Sequence, residues 1–371
     1  MVLASAAARG GAKRGVAVAS GAGAVGSRAG RSHRVVGPYY GSPSPSPLRT
    51  VRRSHMAGRW SPVVAPWHLD EYIPAFPVPV GAGEAIRPEL PAGSVPGRMS
   101  VLHRAIADAV AQVARPLVLS GDCPIARAVV GGVQRRHRDL AVVWLDAHGD
   151  FNTPAISISG YLGGMAISML TGRTPGLFGD GEAGNGAASA AGSGAASAAG
   201  SGAANAAGSG AASVAGSGAA SAAGSGASNG VGSKAVGDGV SPLPEANVVL
   251  ADARDLDPAE RDALAASQVR LVAAEPGAIT AALRDLAGLP VYLHLDVDVL
   301  DSADVPGLRF PTEAGPSIAQ IEQCLAAVCA TADVVAAGLA CTWQPDRVGD
   351  AATRDAITRL ARALGADLAW R

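Results

Sequence analysis

Short apolar runs rich in Val, Leu and Ala alternate along this chain with longer stretches in which apolar residues recur at helical spacing. The short runs predict buried β-strands at 61–65, 116–120, 140–145, 247–251, 269–273, 290–296 and 333–340. The longer stretches predict helices near 98–114, 124–137, 258–266, 276–286, 317–331 and 350–364. This alternation favours an α/β fold in which helices cover both faces of a mostly parallel sheet. Ligands bind such sheets beyond the carboxyl ends of the strands.

Two stretches lack the large apolar residues that a core needs. Residues 1–55 are rich in Arg, Ser, Gly and Pro and predict a disordered basic tail. An organelle transit peptide, or a misassigned start with translation beginning at Met56, are the alternatives. Residues 180–240 contain five Gly/Ala/Ser octads and predict a flexible surface insertion into a single domain at 56–371.

Charge is distributed unevenly along the chain. Residues 1–60 hold ten of the 30 Lys and Arg residues and no acidic residue, so the rest has 20 basic and 31 acidic side chains. An acidic body does not favour nucleic-acid binding. No apolar run approaches the ~18 residues that a membrane span requires. We therefore expect no membrane association. The four cysteines show no CxxC spacing, so we expect a reducing, cytoplasmic setting.

Acidic residues and a histidine follow two of the predicted strands. Asp146, His148 and Asp150 alternate directly after one strand, and Asp296 and Asp298 end another. Alternate residues of an extended segment project to the same side, so each set is expected to converge. Metal cations are the natural compensation for this much negative charge, and oxygen ligands with one imidazole suit Mn²⁺. A capped loop is the alternative for either motif alone.

Together these motifs resemble the signatures of the arginase (ureohydrolase) family. The central signature is matched by Asp146-Ala-His-Gly-Asp-Phe-Asn-Thr-Pro154 and Ser159-Gly-Tyr-Leu-Gly-Gly-Met165, and the second by Asp296-Val-Asp-Val-Leu-Asp301. Arg254-Asp-Leu-Asp257 resembles the family's substrate-contact segment. The resemblance covers about 60–365. It implies the three-layer α/β arginase fold, two divalent ions such as Mn²⁺, and hydrolysis of a guanidinium carbon–nitrogen bond.

The resemblance also implies a role for each metal-site residue. Asp146 and Asp296 would each bridge both ions, His148 and Asp298 would complete one ion, and Asp150 would complete the other. Asp150 and Asp298 are therefore the candidate catalytic residues, because they would help to hold the attacking hydroxide.

Three further residues match family positions that contact the substrate. Asn152 and Ser159 match positions that hold its α-carboxylate, and Asp257 matches one that reaches its α-amino group. Loop capping is the alternative role for each of the three.

The chain departs from the arginase pattern at three positions. Cys123 stands where the family has a histidine ligand; a thiolate ligand would favour softer ions such as Zn²⁺ or Fe²⁺, and a buried small hydrophobe is the alternative. The proton-shuttling histidine of the family's Leu-His-Gly is replaced by Gly163. Trp343 lies near the position of a glutamate that pairs with the guanidinium, where it could stack on a planar cation or pack in the core. Glu313 is a spare carboxylate that could replace that glutamate.

Cys123 and the Gly160-Tyr-Leu-Gly-Gly-Met165 run resemble a variant branch that includes the Nω-hydroxyarginine amidinohydrolases, although that enzyme type retains a glutamate in its last strand. We therefore expect hydrolysis of arginine or a modified arginine such as Nω-hydroxyarginine to ornithine plus urea or hydroxyurea. Hydrolysis of another linear amidine such as agmatine, or a non-catalytic metal-binding role, are the alternatives. By resemblance to the family, a homotrimer or homohexamer is expected.

Overall fold

Seven parallel strands form the central sheet in the computed structural model, which describes residues 58–178 and 240–371. The sheet order is β1-β4-β9-β8-β5-β6-β7, and β2 and β3 form a short antiparallel pair. In chain order the strands are β1 (Ser61–Ala65), β2 (Trp67–His68), β3 (Glu71–Tyr72), β4 (Pro116–Ser120), β5 (Ala141–His148), β6 (Val248–Asp255), β7 (Arg270–Val272), β8 (Val291–Asp296) and β9 (Val334–Ala340).

Seven α-helices accompany the strands in the described part of the chain. They are α1 (Val95–Ala111), α2 (Ile125–Gln134), α3 (Ala166–Thr171), α4 (Pro258–Ala265), α5 (Pro276–Arg284), α6 (Ile318–Thr331) and α7 (Ala351–Ala363). Short 3-10 turns occur at Leu162–Met165, Glu245–Asn247 and Val297–Val299. Several helices begin at capping residues; for example, Ser317 and Gln320 form a capping box at the start of α6.

The side chains of β5 show how the sheet separates two helical layers. Val143 and Leu145 belong to the hydrophobic cluster that contains residues of α5, α6 and α7. Val142 and Trp144 point the other way, into the cluster that contains residues of α1, α2, α3 and α4. Both faces of the sheet are therefore buried, which explains the nearly continuous apolar runs. The predicted three-layer α/β fold is confirmed.

The predicted elements differ from the structure mainly at their ends. The helix predicted at 98–114 is observed at Val95–Ala111, starting after the N-cap Ser94. The short α3 and the β2–β3 pair were not predicted, because they are too short to show a hydrophobic period. The predictions for residues 1–55 and for 180–239 lie outside the described residues. None of the described helices is long and apolar enough to cross a membrane.

Candidate active site

The carboxyl ends of β4, β5 and β8 deliver polar side chains to one cavity. Cys123 follows β4, Asp146 and His148 lie at the end of β5, and Asp296 is the last residue of β8. All four side chains line a cavity of about 200 Å³. The site therefore occupies the edge of the sheet at which ligands bind in parallel α/β folds.

Two groups of possible metal ligands share Asp146. In the first group, Cys123 Sγ lies 2.9 Å from Asp296 Oδ2 and 3.6 Å from Asp146 Oδ2. In the second group, His148 Nδ1 lies 3.1 Å from Asp298 Oδ2 and 3.5 Å from Asp146 Oδ1. Asp146 presents a different oxygen to each group, so this carboxylate offers a ligand atom to both groups.

Backbone pairing explains how these residues reach the cavity. β5 continues to His148 because its polar end still pairs with β6, and Asp146 and His148 thus project to the same side. β8 ends at Asp296, whose Oδ1 accepts a hydrogen bond of 2.9 Å from the backbone N–H of Asp298. Asp298 lies in the following 3-10 turn, so the extended path expected between Asp296 and Asp298 is wrong, although both side chains line the cavity.

Asp150 reaches the cavity through a backbone conformation that the sequence pattern did not predict. Its φ is +49°, in the left-handed region, so it does not continue the extended alternation of Asp146 and His148. Asp150 lines the cavity but belongs to neither ligand group. Its Oδ2 is buried without a hydrogen-bond partner, which costs ~1–3 kcal/mol when nothing compensates it. A cation beside this oxygen would supply the compensation, so the donor set fits a bound metal.

The electrostatics of the cavity also suit cations. Burial raises the pKa of Asp298 to about 6 and the pKa values of Asp150 and Asp296 well above the usual range of a carboxyl group. Burial opposes a charge on His148, but hydrogen bonds with Asp146 and Asp298 outweigh it and raise the pKa of His148 to about 12. Without a cation, the cluster thus keeps protons that a metal ion would displace.

Metal loading should therefore release protons. At pH 7 the raised pKa values keep His148 protonated and Cys123 a thiol, whereas metal ligands are neutral imidazole and thiolate. We expect at least two protons released per chain, one each from His148 and Cys123 and more from the carboxyl groups whose pKa values burial raises, and an affinity that rises with pH. Titration calorimetry with Mn²⁺ in buffers of different ionisation enthalpy measures this number; heats that do not depend on the buffer would contradict it.

A hydrogen-bonded chain of buried side chains supports Cys123. His294 Nε2 lies 3.2 Å from Cys123 Sγ, and His294 Nδ1 lies 2.9 Å from the Tyr292 hydroxyl. The ring of His294 stacks on Trp144 at 3.7 Å between centroids. A Cβ atom at Gly338 would lie 3.3 Å from His294 Nδ1 and closer still to the Tyr292 hydroxyl, so glycine is required there. His294 is thus positioned behind Cys123 as a buried supporting residue.

The buried carboxyl group of Glu260 fixes the loop that follows β5. Glu260 is buried on α4 and accepts a hydrogen bond of 2.8 Å from the backbone N–H of Phe151. A Cβ atom at Gly149 would lie 2.7 Å from this carboxyl group, which explains the glycine within the central motif. Glu260 therefore holds the strand-to-loop transition that carries Asp150.

The three predicted substrate contacts also line the cavity. Asn152 Nδ2 donates a hydrogen bond of 3.2 Å to Asp257 Oδ2, and Asn152 Oδ1 is buried without a partner. Ser159 is exposed, and its Oγ accepts a hydrogen bond from the backbone N–H of Tyr161. Asn152, Ser159 and Asp257 therefore remain predicted contacts of the substrate. The buried oxygen Oδ1 of Asn152 is an acceptor that has no donor among the described protein groups.

The structure separates Trp343 and Glu313 from the cavity. Trp343 is buried and packs edge-on against Phe76 at 5.3 Å, so its role is core packing. The neighbouring Thr342 lines the cavity instead and donates a hydrogen bond of 2.6 Å to the carbonyl of Gly121. Glu313 is exposed and contributes only its backbone carbonyl, to Arg254. Neither residue replaces the glutamate of the family pattern.

Several residues that line or support the cavity were not singled out from the sequence. Tyr161, Phe310 and Thr342 line it, and His68 contacts Tyr161 from the β2–β3 pair. Tyr161 lies two residues before Gly163 in the motif that resembles the family signature. A large aromatic residue so close to a position that has lost its side chain could have indicated that Tyr161 lines the cavity. Nothing in the spacing of His68 or Phe310 links them to the motifs.

The sequence model of the arginase family matches residues 84–365. The chain is 25% identical over 190 residues to the Nω-hydroxy-L-arginine amidinohydrolase of Streptomyces lavendulae, covering 51% of this chain and 47% of that protein. It is 47% identical over 60 residues to arginase of Staphylococcus aureus, covering 16% of this chain and 20% of that protein. The chain thus spans about half of the first relative and a fifth of the second.

The fold is similar to that of solved arginases. The crystal structure of Entamoeba histolytica arginase in complex with L-ornithine matches with a TM-score of 0.57 at 14% identity. The match covers 83% of this chain and 98% of that one. At this identity the likeness establishes the three-layer architecture.

Proposed function

Because the chain belongs to the arginase family, we propose that it hydrolyses the guanidinium carbon–nitrogen bond of arginine or of a modified arginine such as Nω-hydroxyarginine. Ornithine would remain, and urea or hydroxyurea would leave. The observation that carries the proposal is the pair of ligand groups joined by Asp146 at the floor of one cavity.

Cys123, Asp146 and Asp296 would hold one divalent ion, and Asp146, His148 and Asp298 a second, with Asp150 beside them. Mn²⁺ suits the oxygen-rich set, and the thiolate of Cys123 extends the affinity toward Zn²⁺ and Fe²⁺. When bound, the two ions supply an acidified water as the nucleophile.

The chain's own residues would orient the substrate. Asp257 offers a carboxylate to an α-ammonium group, while Asn152 and Ser159 offer polar groups to an α-carboxylate. Asn152 and Ser159 favour an amino-acid head group over an amine such as agmatine, which keeps the ammonium group but has no α-carboxylate. Binding of the head group by these residues would hold the guanidinium at a fixed distance from the two groups of metal ligands.

Thr342 and Trp343, which follow β9 near the position of the family's guanidinium-pairing glutamate, carry no charge, and this favours the hydroxylated substrate. Thr342 lines the cavity beyond the end of β9, where it presents no charge. A hydroxylated guanidine is less basic than arginine and therefore depends less on a charged partner. Since a hydrogen bond to a charged group contributes roughly 1.5–3 kcal/mol, arginine should be the poorer substrate by about tenfold or more in kcat/KM.

A substrate panel tests this proposal. We expect kcat/KM to fall in the order Nω-hydroxyarginine, arginine, agmatine. Asp257→Asn should lower kcat/KM about tenfold for all three substrates, because agmatine keeps the ammonium group of the two amino acids and each substrate loses a charged partner. Asp262→Asn, on the exposed side of α4, is the matched control.

Two outcomes of the panel would contradict the proposal. Agmatine turned over faster than both amino acids would assign the site to another linear amidine. A metal-loaded protein inert toward every guanidine would indicate a non-catalytic metal-binding relative.

A further inference from the structure

Gly163 stands where the family pattern has its proton-shuttling histidine, and no side chain fits at this position. A Cβ atom at Gly163 would lie 2.5 Å from the Tyr161 hydroxyl oxygen and closer still to two ring carbons. Real Cβ atoms do not approach other atoms so closely. The ring of Tyr161 therefore occupies the space into which a side chain at position 163 would extend.

The Tyr161 side chain is held in this position by one hydrogen bond and two ring contacts. Its hydroxyl lies 2.7 Å from His68 Nε2, and the two rings stack at 5.9 Å between centroids. The ring of Phe310 packs against the ring of Tyr161 at 5.3 Å between centroids. Tyr161 lines the same cavity as the ligand groups, so its hydroxyl is a fixed polar group in the cavity wall.

We propose that the Tyr161 hydroxyl replaces the missing histidine as the proton donor to the amine that leaves during guanidinium hydrolysis. This inference rests on the proposed function and assigns to it a catalytic residue. The carrying observation is that the ring and hydroxyl of Tyr161 occupy the space into which a side chain at Gly163 would extend.

The proton balance of the reaction requires such a donor. Hydrolysis adds the oxygen of one water molecule to the guanidinium carbon, where it becomes the carbonyl oxygen of the urea product, and the two protons of that water pass to solvent. The bond between this carbon and the side-chain nitrogen breaks, and the nitrogen departs as an ammonium with two additional protons. Tyr161 delivers one of these protons as the bond breaks, and the other comes from solvent after departure.

His68 is a positioning residue that restores the hydroxyl. As Tyr161 gives up its proton, its oxygen takes the proton from His68 Nε2, and His68 Nδ1 takes one from solvent, so both side chains end neutral. Burial and the charge of Arg309 lower the pKa of His68 to about 4, so a neutral imidazole is present at pH 7. Burial raises the pKa of Tyr161 well above its usual range, which keeps the hydroxyl protonated.

The experiment compares two leaving groups in the Mn²⁺-loaded full-length protein. Tyr161→Phe keeps the ring and removes the hydroxyl; the control Tyr72→Phe alters a tyrosine that packs on Trp67 outside the cavity. The substrates are Nω-hydroxyarginine, arginine and the isothiourea analogue of arginine with sulfur in place of the leaving nitrogen. A thiolate leaves without a proton, so only the guanidines require the donor.

We expect Tyr161→Phe to lower kcat on the guanidines by ~10²-fold or more and on the isothiourea by less than about threefold. Metal content should stay unchanged. The double variant Tyr161→Ala/Gly163→His, which vacates the ring's space and places the family's histidine there, should recover part of the guanidine activity. His68→Ala should lower kcat about tenfold at unchanged KM, and His68→Gln should not restore it, because glutamine can hydrogen-bond to the hydroxyl but cannot pass a proton to it.

Other outcomes separate the inference from the proposed function. Equal losses on both leaving groups, or guanidine activity within threefold of the wild type, would overturn the role of Tyr161 and leave the proposed function standing. Wild-type protein that hydrolyses neither the guanidines nor the isothiourea would overturn both.

Discussion

Replacing Asp146 with Asn should reduce bound metal from two ions to less than one per chain and guanidine hydrolysis by on the order of 10³-fold or more. The reason is geometric, because Asp146 is shared by both ligand groups and presents one oxygen to each. An amide keeps the size of the side chain and loses its charge and one acceptor oxygen, so both groups are weakened together. Metal analysis and ornithine release measure the two effects.

The control for this variant is Asp262→Asn, which makes the same chemical change on an exposed helix position. It should keep two ions and full activity. Retention of two ions by Asp146→Asn, with activity within tenfold of the wild type, would mean that Asp146 does not bridge the centre.

Cys123→Ala should remove one of the two ions and lower activity by about 10²-fold, whereas Cys341→Ala should do neither. Both cysteines are buried near Asp296, but only Cys123 belongs to a ligand group. Altering a residue that hydrogen-bonds to a metal ligand typically lowers metal affinity by about 10–100-fold. Removing the ligand itself should lower metal affinity by at least as much. The pair therefore separates coordination from the packing of a small buried side chain.

Cobalt provides a direct readout of the thiolate. Co²⁺-loaded wild type and Cys341→Ala should show a thiolate-to-metal charge-transfer band, and Cys123→Ala should lack it. Cys123→His should also lack the band while keeping two ions, and its activity should resist oxidation, because the imidazole replaces the oxidisable ligand. The same band in Cys123→Ala would show that the thiol at position 123 is a packing residue.

The strands and the acidic motifs could be predicted from the sequence because their signals are local. The apolar run of β5 and the alternation of Asp146 and His148 are both visible in a few residues. The extension of β5 to His148 was not, because it depends on pairing with β6. The left-handed conformation of Asp150 was also hidden, since nothing in the pattern opposes an extended path there.

The walls of the cavity depend on contacts between distant segments. His68 meets Tyr161 across 93 positions in the sequence, and the Trp343 indole enters the core because Phe76 packs against it. Such contacts leave no periodic signal, so the sequence alone could not choose between Trp343 and Thr342 as the residue facing the cavity. The replacement of the missing histidine by Tyr161 became visible only from the space around Gly163.

The most direct test of the two-metal hydrolase is to purify the full chain without oxygen, load it with Mn²⁺, and measure metal content and ornithine release in the same sample. The account predicts two ions per chain and release of ornithine with urea from arginine or hydroxyurea from Nω-hydroxyarginine. Fewer than one ion per chain, with no product from either substrate, would contradict it and mean that the chain keeps the arginase fold without the chemistry.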